Sequence, residues 1–292
     1  MISNSPSIII LIPYFGNWPF WMPFFLESCR HNPDIDWLLI GDCEVIDNLP
    51  PNVRFNQISF SDYCSHISKC LNLEFAPTNP YKLCDLKPAL GYIHQQQISA
   101  YDFWGFSDID LIYGKLRHYF NVQRLARYKL LSTHSRRVSG HFCLMRNEQR
   151  MLEAFNYIPN WKQRISNPQH HALDEGGFSR IFLWRKNFPK PLHDFVGLFN
   201  RWRRESEFVE AYSTPNTKKR WIDSSLNFPQ QWTWDKGSLT NDINGLREFP
   251  YLHFMRWKKH EWHSAEKSPE KIQKLIQEER WSIDDSGFHA IK

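Results

Sequence analysis

YDFWGFSDIDLIYGK, residues 101–115, is an apolar, aromatic run that closes on two aspartates separated by one residue. An extended chain sends alternate side chains to the same side. Asp108 and Asp110 at the end of a buried strand therefore point two carboxylates at one spot. Two converging hard oxygen ligands suit Mg²⁺ or Mn²⁺, which takes a few carboxylates and leaves its other positions to water and substrate phosphate. The plainer reading is that the acids only cap a strand and flank a turn. An Asp-x-Asp pair does not choose between these by itself, and the surrounding sequence has to.

Upstream, residues 7–13 form a run rich in β-branched residues that ends in PYFG, the pattern of a central parallel strand followed by a loop. Residues 17–30 predict an aromatic helix beginning after Pro19 or Pro23, and residues 37–41 a second strand that ends at Asp42. Strand, helix and strand with polar residues at the strand ends is the signature of a doubly wound sheet, whose ligands sit outside the carboxyl ends of its strands. A third strand is expected over 55–58 and a helix over 61–73, capped by Ser61 with Asp62 in its first turn. NPYKLCDLKPALGYI, residues 79–93, carries Lys82, Asp85 and Lys87 and is expected to become helical from Pro88. Just ahead of the Asp-x-Asp strand, these lysines are placed to reach a diphosphate, with Asp85 orienting one of them; a solvated helix start is the other reading.

Downstream, YKLLSTH (128–134) and residues 141–145 read as strands separated by a turn at Ser139 and Gly140, and a helix is expected over 148–156. NPQHHALDE (167–175) reads as a loop that enters a helix. Residues 189–245 are aromatic, basic and broken by Pro, Asn and Gly, which suggests a lid or acceptor platform. FPYLHFMRW (249–257) returns to a strand pattern and is followed by Lys258 and Lys259. Ser268 and Pro269 then make an N-cap and N1 pair for an amphipathic helix with Ile272, Leu275 and Ile276 on one face.

Composition narrows the class. A chain of 292 residues buries a substantial core, and no repeat or linker divides it. The net charge of +5 asks for no nucleic acid. The six cysteines form no CxxC pair, which fits reduced thiols in the cytoplasm. SIIILIPYF lacks the basic leader of an export signal, and no run approaches the length of a membrane span. Much of the tryptophan stands beside charge (Trp184, Trp202, Trp221, Trp257, Trp262), as amphipathic surface or half-buried packing. A G-x-S-x-G elbow, a P-loop and a G-x-G-x-x-G are all missing, against serine hydrolases, kinases and dinucleotide oxidoreductases.

Taken in order, IPYFGNWPFW, YKLCDLKPALG, FWGFSDIDLIYG and LHFMRWKK resemble a GT-A glycosyltransferase. More closely, they resemble a family of bacterial glycosyltransferases found with capsule and lipopolysaccharide genes, over about residues 7–260. The resemblance implies an α/β, GT-A (Rossmann-like) fold with a mostly parallel sheet flanked by helices. It divides the chain into a nucleotide-sugar half (about 1–120), an acceptor half (about 121–260) and a C-terminal aromatic and basic extension with its helix (261–292). It places Pro13, Tyr14 and Asp42 at the base and ribose of a nucleotide sugar, and Asp108 and Asp110 on a divalent metal, Mn²⁺ or Mg²⁺, that bridges the diphosphate. His253 is implied on the same metal and Lys258 on the phosphate. Asp174 and Glu175 hold the position of a catalytic base in an inverting enzyme, or of a substrate ligand in a retaining one, and His141 is expected near the acceptor or diphosphate. The implied activity moves a sugar, with UDP-sugars the first guess, to a glycan or lipid-linked acceptor in bacterial surface polysaccharide synthesis. The setting implied is cytoplasmic, with peripheral contact at the inner membrane. Two other classes compete: a metal-dependent phosphodiesterase or nuclease, which generally needs more carboxylates, and a non-catalytic glycan- or nucleic-acid-binding module built on RWRRESEF and FMRWKKHEW.

Overall fold

The sequence IIILIP is aliphatic on both faces, and it forms β1 (Ile8–Pro13) with Ile8 to Ile12 no more than 2% exposed. A strand buried on both sides needs a layer above and below it. The computed structural model describes residues 5–184, 189, 191, 195, 197–215, 217, 219–255, 257–260, 262 and 267–291. Beside β1 stand β2 (Ile35–Gly41) and β3 (Val53–Gln57), then β4 (Phe103–Ser107). A short β5 (Leu111–Tyr113) follows, and β6 (Leu130–Ser132), β7 (Phe142–Arg146) and β8 (Ser206–Phe208) extend the sheet. The central sheet has the order β3-β2-β1-β4-β7-β6-β8; its pairings leave β7 antiparallel and all other strands parallel. The expected α/β class with a mostly parallel sheet flanked by helices is therefore present.

Helix α1 (Met22–Arg30) begins after Pro19, with Pro23 in its first turn, and packs on the face carrying Ile8, Ile10 and Ile12. Helix α2 (Phe60–Leu71) packs on the opposite face with Ile9 and Leu11. It starts one residue earlier than expected, because Ser59 rather than Ser61 is the cap. Ser59 is extended and its hydroxyl accepts from the Asp62 amide at 3.1 Å, a geometry closed to Ser61 inside the first turn. The stretch expected to turn helical only at Pro88 winds from Pro80 onward as a 3-10 helix, Pro80–Ala89, which then becomes a short α-turn, Leu90–Ile93. Gly91 brings that turn onto β4: a Cβ there would lie 2.3 Å from the Trp104 ring.

A second sheet contains β9 (Trp232–Asp235) and β10 (Ser238–Asn241), separated in sequence from their partners by β11 (Tyr251–His253). The partners are β12 (Arg280–Asp284) and β13 (Gly287–Ala290), giving the order β10-β9-β12-β13. Among the described residues of 189–245, one strand (β8) completes the edge of the central sheet and two (β9, β10) build this second one. Residues 261–292 carry the expected helix, Pro269–Glu278, but also β12 and β13, so they are woven into the fold. The reason is apolar burial: Trp232, Trp234, Trp281 and Ile283 are fully buried, Trp234 and Trp281 stack at 3.9 Å, and Phe24 of α1 stacks on Phe288 at 3.9 Å. Trp221, Trp257 and Trp262 join this core, while Trp184 stays exposed. Among the described residues no helix is long and apolar enough to cross a membrane.

Candidate active site

β4 ends at Ser107 and β5 starts at Leu111, so Asp108 and Asp110 lie in the bend between strands and not at alternate positions of one strand. Their convergence comes from two pairings made elsewhere in the chain. Ser107 pairs with Phe142, and the Asp108 amide donates to the His141 carbonyl at 3.0 Å. β5 pairs with β11 antiparallel in a register that sets Leu111 opposite His253, and the Phe254 amide donates to the Asp110 carbonyl at 3.3 Å. Ligand atoms of Asp108, Asp110 and His253 consequently lie within 4.8 Å of one another. His253 is buried, with Nδ1 hydrogen-bonded to Thr214 Oγ1 at 3.1 Å and Nε2 3.4 Å from Asp110 Oδ2. An imidazole anchored through one nitrogen presents the other in a fixed direction, as metal-binding histidines do. Two carboxylates and such an imidazole fit Mn²⁺ or Mg²⁺.

Two lysines flank the triad. Lys258 Nζ is 2.5 Å from Asp110 Oδ2. Burial acts to raise the Asp110 pKa, but His253 and Lys258 outweigh it and hold the carboxyl well below its usual range. Lys87 pairs with Asp108 and donates to the Gly140 carbonyl at 2.7 Å. Burial acts to lower its pKa, and Asp108, Cys84 and Asp174 reverse that, keeping the ammonium charged. Asp108, Asp110, Lys87 and Lys258 border a cavity of about 410 Å³ at the carboxyl ends of β1 and β4, whose wall includes Pro13, Tyr14, Tyr81, Cys84, Phe106 and Ser107. Asp42 is exposed and accepts from the Gly16 amide at 2.8 Å, fixing the loop after β1. Tyr14 stacks on Trp18 at 5.6 Å.

The 3-10 helix explains which residues reach this cavity. With about three residues per turn, side chains at i and i+3 eclipse. Tyr81, Cys84 and Lys87 form one row along the cavity, while Lys82 and Asp85 form another that faces away. The expectation that Lys82 and Asp85 serve a diphosphate is corrected here. Lys82 Nζ is 2.9 Å from Asp85 Oδ2 and also donates to the carbonyls of Arg164 (2.8 Å) and Gln169 (2.7 Å). Asp85 accepts from the amides of His171 and Leu173, each at 2.9 Å. All three ammonium protons have protein acceptors, and the pair pins the chain that leads into Asp174.

That chain enters a π-helical turn, Leu173–Phe178, through Ala172 at φ 47°. The turn lays two acids over the loop before β7: a Cβ on Gly140 would lie 2.8 Å from Asp174 Oδ2 and 3.1 Å from Glu175 Oε1. A larger residue at 140 would have to displace these two acid side chains. Burial pushes the Asp174 carboxyl up to about 6, against the opposing pull of Lys87. Glu175 pairs with Arg137 at 3.0 Å. His141, expected at the acceptor or diphosphate, instead stacks on His253 at 4.2 Å, and its Nε2 is engaged by Tyr251 OH (2.9 Å) and Ser139 Oγ (3.2 Å). Burial and the neighbouring His253 keep it neutral, as a prop for the ligand. Sequence reading missed Thr214, Arg137, Tyr81 and Cys84; only Gly140, in a recognised turn, left a signal.

The chain belongs to a family of unknown function, DUF6625, whose model matches residues 10–282. Comparison with curated protein sequences gives no match. Among solved structures, the chain is similar to an active-site mutant of LgtC, at 10% identity and TM-score 0.45 over 93% of this chain and 95% of that one. It is also similar to apo mouse xyloside xylosyltransferase 1, at 8% identity and TM-score 0.41 over 86% and 97%. A third likeness is to the glycosyltransferase GlyE of Streptococcus pneumoniae TIGR4, at 12% identity and TM-score 0.32 over 72% and 46%. These likenesses are too distant to transfer an activity.

Proposed function

We propose that this protein is a metal-dependent GT-A glycosyltransferase whose cavity receives the diphosphate of a nucleotide sugar. The observation that carries the reading is the Asp108–Asp110–His253 triad between Lys87 and Lys258, at the carboxyl ends of parallel strands beside a cavity of about 410 Å³. Asp108, Asp110 and His253 would hold the divalent cation, which when bound would supply positive charge against a departing diphosphate. Lys258, partly exposed beside Asp110, is placed to hold a phosphate oxygen, and Lys87 fixes Asp108 against the Gly140 carbonyl. Pro13 and Tyr14 line the nucleotide side, with Asp42 holding their loop. Asp174, with a pKa near 6, is ionised at neutral pH and is suited to take the acceptor hydroxyl proton if the reaction inverts; with retention, it orients substrate instead. The Glu175 amide donates to Asp174 Oδ1 at 2.8 Å and orients that carboxylate, while the Glu175 side chain pairs with Arg137.

The finer assignments rest on the sequence resemblance: a UDP-sugar donor, a glycan or lipid-linked acceptor, a role in surface polysaccharide synthesis, and a cytoplasmic setting at the inner membrane face. Titration calorimetry with UDP and Mn²⁺ tests the core of the proposal. Wild type is expected to bind UDP only with the metal, and Asp110→Asn to lose that binding while its circular dichroism is unchanged. Failure of every common nucleoside diphosphate to bind in Mn²⁺ would sink the reading. Release of free sugar or nucleotide without an acceptor would move the protein to a hydrolase.

A further inference from the structure

A second group of metal-type ligands lies where α1 meets the C-terminal sheet. Glu27 and His31 stand four residues apart, on one side of α1 and its C-cap. Glu279 caps the far end of the helix Pro269–Glu278, in the left-handed region at φ 49°. His31 Nε2 is 3.3 Å from Glu27 Oε1 and 3.3 Å from Glu279 Oε1. The three ligand atoms lie within 4.8 Å of one another.

Oxygen and nitrogen ligands about 2.0–2.2 Å from a four-coordinate zinc stand about 3.3–3.6 Å apart. His31 Nε2 stands at that spacing from both carboxylates, and the two carboxylate oxygens lie within 4.8 Å of each other. Glu27 is only 7% exposed, and its other oxygen is taken by Arg30 Nε at 3.1 Å, leaving Oε1 for the cluster. His31 is held from the far side: its ring meets Trp234 edge-on at 4.9 Å, and a Cβ on Gly237 would lie 3.0 Å from the His31 Cβ. His31 is thus trapped between α1 and the β9–β10 hairpin, with Nε2 facing both acids.

We propose that Glu27, His31 and Glu279 bind a zinc-type divalent cation, with water completing the shell. The cation clamps the second sheet onto α1. The site is independent of the Asp-x-Asp triad and of the transfer reaction, and it joins two parts of the chain that also meet through Phe24 packing on Trp281 and Phe288 and through His31 against Trp234.

The test uses full-length Asp110→Asn, in which the triad is disabled, stripped with chelator and titrated with ZnCl₂. One equivalent of zinc is expected to remain and to raise the unfolding midpoint by roughly 3–6 °C. Adding His31→Gln or Glu279→Gln is expected to abolish both the binding and the shift. Glu279 is partly exposed, so its variant keeps the test decisive should His31→Gln misfold. The proposal is overturned if Asp110→Asn binds no zinc, or if zinc binds undiminished in the Glu279→Gln double variant.

Discussion

Two lysines on one 3-10 segment, each paired with an aspartate, have opposite fates. Lys82 and Asp85 are sealed: their side chains are 1% and 0% exposed, Lys82 donates to two backbone carbonyls, and Asp85 accepts from two backbone amides with His170 beside it at 3.4 Å. Lys87 and Asp108 face the cavity, with side-chain exposures of 11% and 32%. The residue types are the same, so charge alone does not distinguish a structural lock from a ligand-binding pair. The distinction lies in how many acceptors the fold has already supplied. A buried charge whose hydrogen bonds are complete has nothing to offer a ligand, whereas a partly solvated carboxylate keeps lone pairs for one.

The contrast is sharpest in stability. Lys82→Met strands a buried carboxylate and is expected to cost about 3–5 kcal/mol, read by urea unfolding. Lys87→Met leaves Asp108 within reach of water and is expected to cost only about 1–2 kcal/mol while lowering transfer about 10²–10³-fold. Equal losses of stability in the two variants would break the distinction between lock and site.

Asp174 gives the next effect, since the sealed pair holds the chain leading to it and the open pair stands opposite. Its pKa is raised to about 6, so the folded state binds that proton more tightly than the unfolded chain does. The resulting stabilisation is complete below the ordinary carboxylate range and is lost as pH rises through about 6. Above that pH, Asp174→Asn is expected to be more stable than wild type by about 1–3 kcal/mol. If Asp174 is the base, wild-type kcat/KM falls as pH drops through about 6 and the variant loses that dependence. A wild-type profile flat from pH 5 to 8 would remove Asp174 from proton transfer.

The smallest effect concerns preorganisation of the open side. Thr214→Val deletes the hydroxyl that orients His253, and Mn²⁺ affinity is expected to fall about 10-fold with the fold intact. Unchanged affinity in calorimetry would show that the β5–β11 register alone aims the imidazole.

Much of the frame was legible in the sequence because it follows from local rules. IIILIP reads as a strand buried on both faces, Pro23 and Pro269 mark helix starts, and the Asp-x-Asp pair and HFMRWK were recognisable as ligands in waiting. The misreadings have physical causes. Apolar flanks suggest a strand at Asp108 and Asp110, yet pairing stops at Ser107. A helical or loop segment leaves the direction of Lys82 open, and three-residue winding turns it away from the cavity. Residues 261–292 read as an extension of the domain because β12 finds its partner β9 far back along the chain.

What the sequence determined by itself is the inventory: an apolar strand for the centre, and acids, a histidine and lysines of the types that a cation and a phosphate would need. The tertiary structure decided which of these share one volume. The β5–β11 register brings His253 to Asp110, the close approach at Gly140 admits Asp174, and the 3-10 row selects Lys87 over Lys82. Side-chain chemistry is local to a residue, but convergence depends on strand pairing and winding between distant segments, and no single stretch of this chain encodes that.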